Sequence, residues 1–165
     1  MEPIIIKSQI SLKQLYNINW FILLRKRVMW WLSLVVLLML YSLTLKRDSD
    51  SEVPWFTIAF VIYFLLLPLF IALAVRRNYK KIPSMSEPKT YEFFDDVVKV
   101  TGPTLSATMA WPIVEKVYER KNDFLAITGN GKGVHYLPKA GFQTESGIEQ
   151  LKSLIKAKGI KNNFK

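Results

Sequence analysis

Residues 28–45 read VMWWLSLVVLLMLYSLTL and residues 53–75 read VPWFTIAFVIYFLLLPLFIALAV, and neither stretch contains a charged side chain. A helix of about 20 residues crosses the roughly 30 Å of hydrocarbon in a bilayer, so both stretches predict transmembrane helices. A buried hairpin of a soluble protein is disfavoured, because the rest of a 165-residue chain is too short to surround two wholly apolar helices. A cleaved signal sequence is disfavoured as well, because no small-x-small site follows the first stretch.

Basic residues flank the two stretches, and we interpret them as candidate membrane-surface contacts: Arg25, Lys26, Arg27, Arg76, Arg77, Lys80 and Lys81. The loop at 46–52 instead holds two basic and three acidic residues. Because basic flanks stay in the cytoplasm, we expect a multi-pass protein with both termini cytoplasmic. The distribution of the formal net charge of +10 then indicates a membrane surface rather than nucleic acid, and topology alone accounts for it, with recognition of anionic lipid head groups as the less favoured alternative.

The residue inventory disfavours catalysis and cofactor binding. The chain has no cysteine and one histidine, His135, so it offers no thiolate chemistry and no multi-histidine metal site. Asp95 and Asp96 are predicted to form a turn rather than an acid-base pair, and the glycine-rich segment 129–133 lacks the spacing of a phosphate-binding loop. We therefore predict no enzyme activity, no cofactor and no metal. The absence of ionisable residues from both apolar stretches also disfavours a transporter.

The segment before the first apolar stretch predicts a strand followed by a helix. Ile4, Ile6 and Ile10 share one side of an extended chain, and Ser11 fits the N-cap of an amphipathic helix. The apolar face of that helix could lie in the membrane interface or pack on the cytoplasmic domain. The predicted domains are 1–27 (strand and juxtamembrane helix), 28–81 (transmembrane hairpin) and 82–165 (cytoplasmic domain).

The last segment alternates in the manner of a small antiparallel β domain. A hairpin is predicted around Asp95, followed by strands at 105–111, 117–121, 124–128 and 134–137. Segment 113–116 is predicted to be a short turn. A final amphipathic helix carries Ile148, Leu151, Leu154 and Ile155, and Gly159 is placed to end it.

Trp111 is the residue that the pattern singles out, as a core anchor or, less favoured, as a ligand-facing ring. The predicted structural anchors are Trp111, Ile113, Val117, Pro138 and Phe142. A basic surface is conceivable from Lys116, Arg120, Lys121, Lys132 and Lys139. Interleaved acidic residues, Glu115, Glu119 and Asp123, favour an ordinary solvated face instead.

The segments 111–117 (WPIVEKV) and 137–139 (LPK), with Phe142 after them, resemble the YcxB-like family of bacterial two-span membrane proteins. The resemblance implies the bacterial plasma (inner) membrane and a C-terminal pleckstrin-homology-like domain. The expected fold is thus an α+β membrane protein: a transmembrane helical hairpin plus a small antiparallel β-barrel capped by a C-terminal helix. The resemblance implies no catalytic residues.

The leading expectation is a non-enzymatic membrane-anchored adaptor that uses its β domain, with a strand added from residues 4–10, to bind a protein partner or its own copies. The alternative is an immunity or envelope-stress protein that protects the membrane against a toxin through its hairpin. An enzyme is disfavoured because no nucleophile, base and orienting group can be named together.

Overall fold

The computed structural model describes residues 3–25, 27–45, 55–129, 133–144 and 146–164. The chain is α+β, and its contacts divide it into two compact units. The helical unit is Ser11–Lys81, and the β unit joins Met1–Ile10 to Ile82–Lys165. The first ten residues therefore fold with the C-terminal half of the chain.

The helical unit contains α1 (Leu12–Arg25), α2 (Arg27–Leu45) and α3 (Trp55–Lys81). Ser11 caps α1 as predicted: its Oγ accepts the Gln14 N–H at 3.3 Å, and its own N–H donates to Gln14 Oε1 at 2.8 Å. This reciprocal pair of hydrogen bonds satisfies the backbone N–H groups of Ser11 and Gln14 at the start of the helix. The α1 helix packs with α2 and α3. Ile18 is the buried side chain of this helix, whereas Leu12 and Leu24 are exposed.

Among the described residues, one helix is long and apolar enough to cross a membrane, Thr57–Lys81. Its most apolar stretch of 18 residues has a mean hydropathy of 2.9, and only 6% of that stretch is buried. The apolar side chains of this helix are therefore exposed rather than packed in a core. The helix continues through Pro68. A shorter apolar segment, Trp30–Tyr41, lies in α2. The predicted loop at 46–52 lies outside the described residues, as do Ser51, Val53 and Pro54.

The β unit contains two four-stranded sheets, a short helix α4 (Pro83–Ser86) and a longer helix α5 (Ser146–Ala157). The first sheet has the order β1-β2-β3-β4, and its strands are Ile4–Ser8, Lys89–Phe93, Val97–Thr101 and Ser106–Ala110. The second has the order β7-β6-β5-β8, with β5 Val114–Glu119, β6 Asp123–Thr128, β7 Gly133–Pro138 and β8 Lys161–Asn162. A 3₁₀ turn, Trp111–Ile113, joins the two sheets.

The N-terminal strand β1 belongs to the first sheet and pairs antiparallel with β2, from Ile4 opposite Phe93 to Ser8 opposite Lys89. Ile6 is 0% exposed and lies in the core. Ser8 Oγ donates to the Tyr136 carbonyl at 2.6 Å, which links β1 to β7 of the second sheet. The sequence left open whether this strand joins the C-terminal domain, and the register shows that it does.

Helix α5 packs on the same core through Leu151 and Ile155, as the apolar stripe predicts. Gly159 has φ +67°, the Gly159 N–H donates to Lys156 O at 3.0 Å, and the Ile160 N–H donates to Ile155 O at 3.2 Å. This is a Schellman motif, which needs a left-handed residue after the helix. The predicted helix stop is confirmed, and the motif turns the chain so that Ile160 returns to the core.

Within the described residues the β unit has eight strands: the N-terminal strand, the hairpin and the four strands that the alternation predicts, and in addition β8. Strand β8 has two residues and is too short to leave a periodic signal. Strand β5 begins at Val114, within the segment 113–116 predicted to be a turn, because the Trp111–Ile113 turn ends earlier. The hairpin around Asp95 is confirmed, whereas residues 130–132 of the predicted glycine-rich turn lie outside the described residues.

Candidate binding groove

Trp111 is a core anchor, as predicted. Its side chain is 5% exposed, and its ring lies 5.9 Å from the Phe93 ring, centroid to centroid. The indole Nε1–H donates to the Phe94 carbonyl at 3.0 Å, so the buried donor is satisfied. Pro112 fixes the next bend in the 3₁₀ turn. The ring is therefore held by both packing and a hydrogen bond.

The other predicted anchors occupy different environments. Val117 is fully buried, and Phe142 packs edge-on against Phe124 at 6.2 Å. Pro138 ends β7 and is half-buried. Ile113 departs from the prediction, because its side chain is 46% exposed. Successive side chains of a 3₁₀ helix are rotated about the helix axis by about a third of a circle. When the Trp111 side chain points into the core, the Ile113 side chain therefore points away from it.

An open groove of about 530 Å³ lies on the surface of the β unit beside the edge of Trp111. Three segments form it: the β2–β3 turn, the 3₁₀ turn with the start of β5, and the chain after α5. Its lining residues are Asp95, Asp96, Trp111, Pro112, Val114, Glu115, Lys158, Gly159, Ile160 and Lys161. The volume is within the usual range of ligand sites, roughly 300–1,000 Å³.

The groove has a mixed charge around an apolar floor. Three carboxylates (Asp95, Asp96 and Glu115) and two ammonium groups (Lys158 and Lys161) line it. Lys158 Nζ lies 3.2 Å from Asp95 Oδ1, which ties the end of α5 to the β2–β3 turn. A surplus of carboxylate over ammonium disfavours an anionic head group here. The arrangement suits a polypeptide that presents both apolar and charged side chains.

The strand edge at the groove is irregular. The β5–β6 register shifts between Val114 and Lys116, so Glu115 sits at a β-bulge. Bulges bend a strand and redirect its side chains, and they are frequent next to binding sites. The parallel strand β8 pairs with β5 only from Lys116, opposite Lys161, to Val117. The β8 pairing therefore leaves the first two residues of β5, Val114 and Glu115, beside the groove.

The tail after α5 is part of the site and was not anticipated from the sequence. Asn163 Oδ1 accepts the Glu119 N–H at 2.6 Å, and Asn163 Nδ2 donates to the Glu119 carbonyl at 3.2 Å. Phe164 packs edge-on against Phe124 at 5.9 Å. The apolar Ile160 and Phe164 on either side of polar residues were the signal that could have revealed a strand-like cover on β5.

A second, internal cavity of about 20 Å³ lies in the core between the two sheets. It has room for a single water molecule. His135 lines it and faces Tyr91, with Nδ1 3.3 Å from the Tyr91 hydroxyl. Burial, and then the nearby Lys89 ammonium, lower the pKa of His135, while burial raises the pKa of Tyr91. The contacts of His135 are therefore those of a structural residue beside the core.

The conceivable basic surface is divided by ion pairs, which agrees with the solvated face that the interleaved acidic residues favour. Arg120 Nε lies 2.6 Å from Asp123 Oδ1, and Lys139 Nζ lies 2.7 Å from Glu119 Oε1. Lys152 reaches the same Glu119 oxygen at 3.1 Å. Burial would raise the pKa of Glu119, but the hydrogen bonds from these lysines outweigh it and lower that pKa. Lys132 lies outside the described residues.

The candidate membrane-surface residues belong to the helical unit, and those whose side chains the structure describes are exposed. Arg76, Arg77, Lys80 and Lys81 follow one another in the last turns of α3. Arg25 is also exposed, with its guanidinium 4.5 Å from the Phe21 ring centroid. Lys26 and the side chain of Arg27 lie outside the described residues. Within the described ranges, no three His, Asp or Glu side chains are grouped to hold a metal ion.

Comparison with known proteins finds similarity to one curated bacterial protein. The uncharacterized protein YcxB of Bacillus subtilis (strain 168) is 27% identical over 95 residues. No family model and no solved structure matches the chain. The aligned region covers 58% of this chain and 51% of the Bacillus protein. The chain is therefore a distant relative of YcxB, and it spans about half the length of that curated relative.

Proposed function

We propose that this chain is a non-enzymatic, membrane-anchored binding module of the YcxB-like type, whose pleckstrin-homology-like β unit holds a protein partner in the groove beside Trp111. The groove carries the proposal, since it combines an apolar floor with charges of both signs beside a β-bulge. These are the features of surfaces that bind extended polypeptides. The uncharacterized relative adds no activity to this inference.

Membrane anchoring by two spans is supported by the pairing of β1 with β2. The chain leaves the β unit after Ile10 and re-enters it at Ile82, so both ends of the helical unit join one folded domain. A single crossing by α3 would place β1 and β2 on opposite sides of the membrane. If α3 crosses the membrane, the pairing of β1 with β2 calls for a second crossing, and this proposal assigns it to α2, which has 19 residues and a length of about 28 Å.

The orientation follows from the basic flanks. In sequence, Arg25 directly precedes the first proposed span and the four cations at the end of α3 directly precede Ile82, so the positive-inside rule assigns both flanks to the cytoplasm. These cations also attract anionic lipid head groups, each contributing about 1 kcal/mol near the surface. In this proposal the bilayer and its anionic lipids anchor the chain, and the groove selects the protein partner.

The topology can be tested with single cysteines, because the natural chain has none. We expect Ser49→Cys, in the loop between the spans, to react with a membrane-impermeant maleimide in intact spheroplasts. Lys121→Cys, at the exposed β5–β6 turn, should react only after the membrane is permeabilised. The same reactivity at both positions would contradict the two-span arrangement, and reactivity of Lys121→Cys with protection of Ser49→Cys would contradict the proposed orientation.

Partner binding can be tested with a photoreactive amino acid placed in the groove of the full-length chain in native membranes. We choose Asp96 and Lys161, which line the groove and are exposed, and Lys121 as the matched control, since it is exposed at the opposite end of β5. One discrete adduct at both groove positions and none at Lys121 is the expected result. Adducts confined to α2 and α3 would overturn the groove assignment and favour the protective role.

A further inference from the structure

The outer edge of β4 is an unpaired strand edge. The Gly102 N–H donates to the Leu105 carbonyl at 2.7 Å, which makes these two residues a hydrogen-bonded pair at the start of the β3–β4 hairpin. Hydrogen-bonded and non-hydrogen-bonded pairs alternate along an antiparallel ladder. The backbone groups of Ala107 and Met109 therefore point to β3, and those of Ser106, Thr108 and Ala110 point away from it.

Nothing in the described part of the chain pairs with this edge. The sheet order ends at β4, and within the described residues no hydrogen bond is formed by the outward backbone groups of Ser106 and Thr108 or by the Ala110 N–H. The Ala110 carbonyl is the exception, because Ala110 caps the Trp111–Ile113 turn and its carbonyl accepts the first hydrogen bond of that turn. The side chains of these three residues are exposed. A row of free N–H and C=O groups is a template for another strand.

The edge also lacks the features that keep strands apart. Residues 104–110 read TLSATMA, with no charge and no proline, and the β3–β4 register is regular. Proteins usually protect free edges with lysine, proline or a bulge. By contrast, the groove edge of β5 has a bulge at Glu115 and a covering strand. The β4 edge is therefore built to accept a strand rather than to repel one.

The edge is self-complementary about Thr108. If two β4 strands pair antiparallel with Thr108 opposite Thr108, Ser106 of each copy faces Ala110 of the other. All three pairs then use outward-pointing backbone groups, which supplies about four hydrogen bonds, because the Ala110 carbonyl of each copy is already bonded in the Trp111–Ile113 turn. Thr–Thr pairs stabilise cross-strand contacts, and no charged side chains oppose each other. A register displaced by one residue would use groups already bonded to β3.

We infer that β4 is a dimerisation edge, and that its occupant is β4 of a second copy of this chain, joined about a two-fold axis at Thr108. The inference rests on the proposed membrane anchoring in one respect: confinement to one bilayer raises the effective concentration that so small an interface requires. It is independent of the groove, which stays open to a different partner.

Cysteine crosslinking tests the register directly, because every thiol is an introduced one. The full-length chain is expressed in its membrane and treated with a short bis-maleimide, which spans the gap between directly opposed strand residues. Thr108→Cys should give a covalent dimer. Ser106→Cys alone should give little, whereas Ser106→Cys co-expressed with Ala110→Cys should give the mixed dimer.

Thr101→Cys is the matched control, an exposed threonine on the neighbouring strand β3 of the same sheet. It should give no dimer. Crosslinks of Thr101→Cys as strong as those of Thr108→Cys, or a Thr108→Cys adduct to a different protein, would overturn the assignment. Failure of all β4 positions while Asp96 still captures a partner would overturn the dimer and leave the proposed function intact.

Charge exchange supplies a second readout that does not depend on thiol chemistry. Thr108→Lys or Thr108→Glu alone places like charges opposite each other at the two-fold axis, so co-purification of differently tagged copies should be lost. Co-expression of the two variants should restore it. The residue is exposed, so neither change disturbs the core. Unchanged co-purification of each variant with itself would refute the β4 interface.

Discussion

Replacing Ile6 by alanine tests the feature on which the proposed two-span topology depends, the insertion of β1 into the β unit. Ile6 is 0% exposed, is paired opposite Tyr91, and bridges to Phe142. Deletion of its side chain removes apolar contacts and leaves a cavity between the sheets. Changes of this kind cost about 2–5 kcal/mol, and we expect about 3 kcal/mol for Ile6→Ala.

Hydrogen exchange in the full-length protein, reconstituted in nanodiscs, reports this loss locally. A destabilisation of about 3 kcal/mol raises the exchange rate of protected amides about 100-fold where exchange follows the opening equilibrium. The amides of β2 and β3, including Tyr91 and Val98, should show the increase. Lys7→Ala is the matched control, since Lys7 is exposed on the same strand and its loss should cost less than about 0.5 kcal/mol.

The refuting result is equally specific. If Ile6→Ala and Lys7→Ala exchange alike, β1 does not contribute to the β unit. The proposed second membrane crossing would then lose its support, because residues 10 and 82 would no longer be tied to one domain.

Three further predictions concern the β unit, and urea or thermal unfolding of the full-length protein measures each of them. Trp111→Ala should lower the free energy of unfolding by about 3–5 kcal/mol. Trp111→Phe keeps a ring but loses the hydrogen bond to the Phe94 carbonyl, so it should cost about 1–2 kcal/mol. Normal stability of Trp111→Ala, together with loss of the groove adducts, would refute the core-anchor role. Burial and Lys89 lower the pKa of His135, so the unfolded state binds the proton more readily and stability should fall as the pH drops below about 6.5. The His135→Gln variant should lose that slope, and an unchanged slope would assign it to another group. Gly159→Ala should cost about 1–2 kcal/mol of stability, because φ of Gly159 is +67°. Gly159→Asn should cost less, because asparagine tolerates the left-handed region. Equal stability of the natural chain and both variants would contradict the Schellman assignment.

Local patterns predicted most elements of the fold. The cap at Ser11, the alternation around Asp95, the apolar stripe of α5 and the stop at Gly159 are confirmed because each depends on neighbours a few residues apart. The prediction for Ile113 was wrong because the hydrophobic character of a residue does not specify its direction in a 3₁₀ turn. The short β8 strand was missed because two residues have no measurable period.

The candidate site was only partly accessible to such reasoning. Trp111 was identified from its size and its place before Pro112, but the groove beside it also needs Asp95 and Lys158, which are 63 residues apart in sequence and 3.2 Å apart in space. Ion pairs and grooves of this kind arise from contacts distant in the chain, and a single sequence carries no record of them.

The sequence by itself determined the two apolar stretches, their basic flanks and the β character of the C-terminal half, because hydrophobicity, charge and alternation are properties of consecutive residues. Only the tertiary structure decided that Ile4–Ser8 completes the first sheet, that the tail covers part of β5, and that β4 is left unpaired within the described residues. Strand pairing is a choice among partners far apart in sequence, governed by which edges the whole fold brings together.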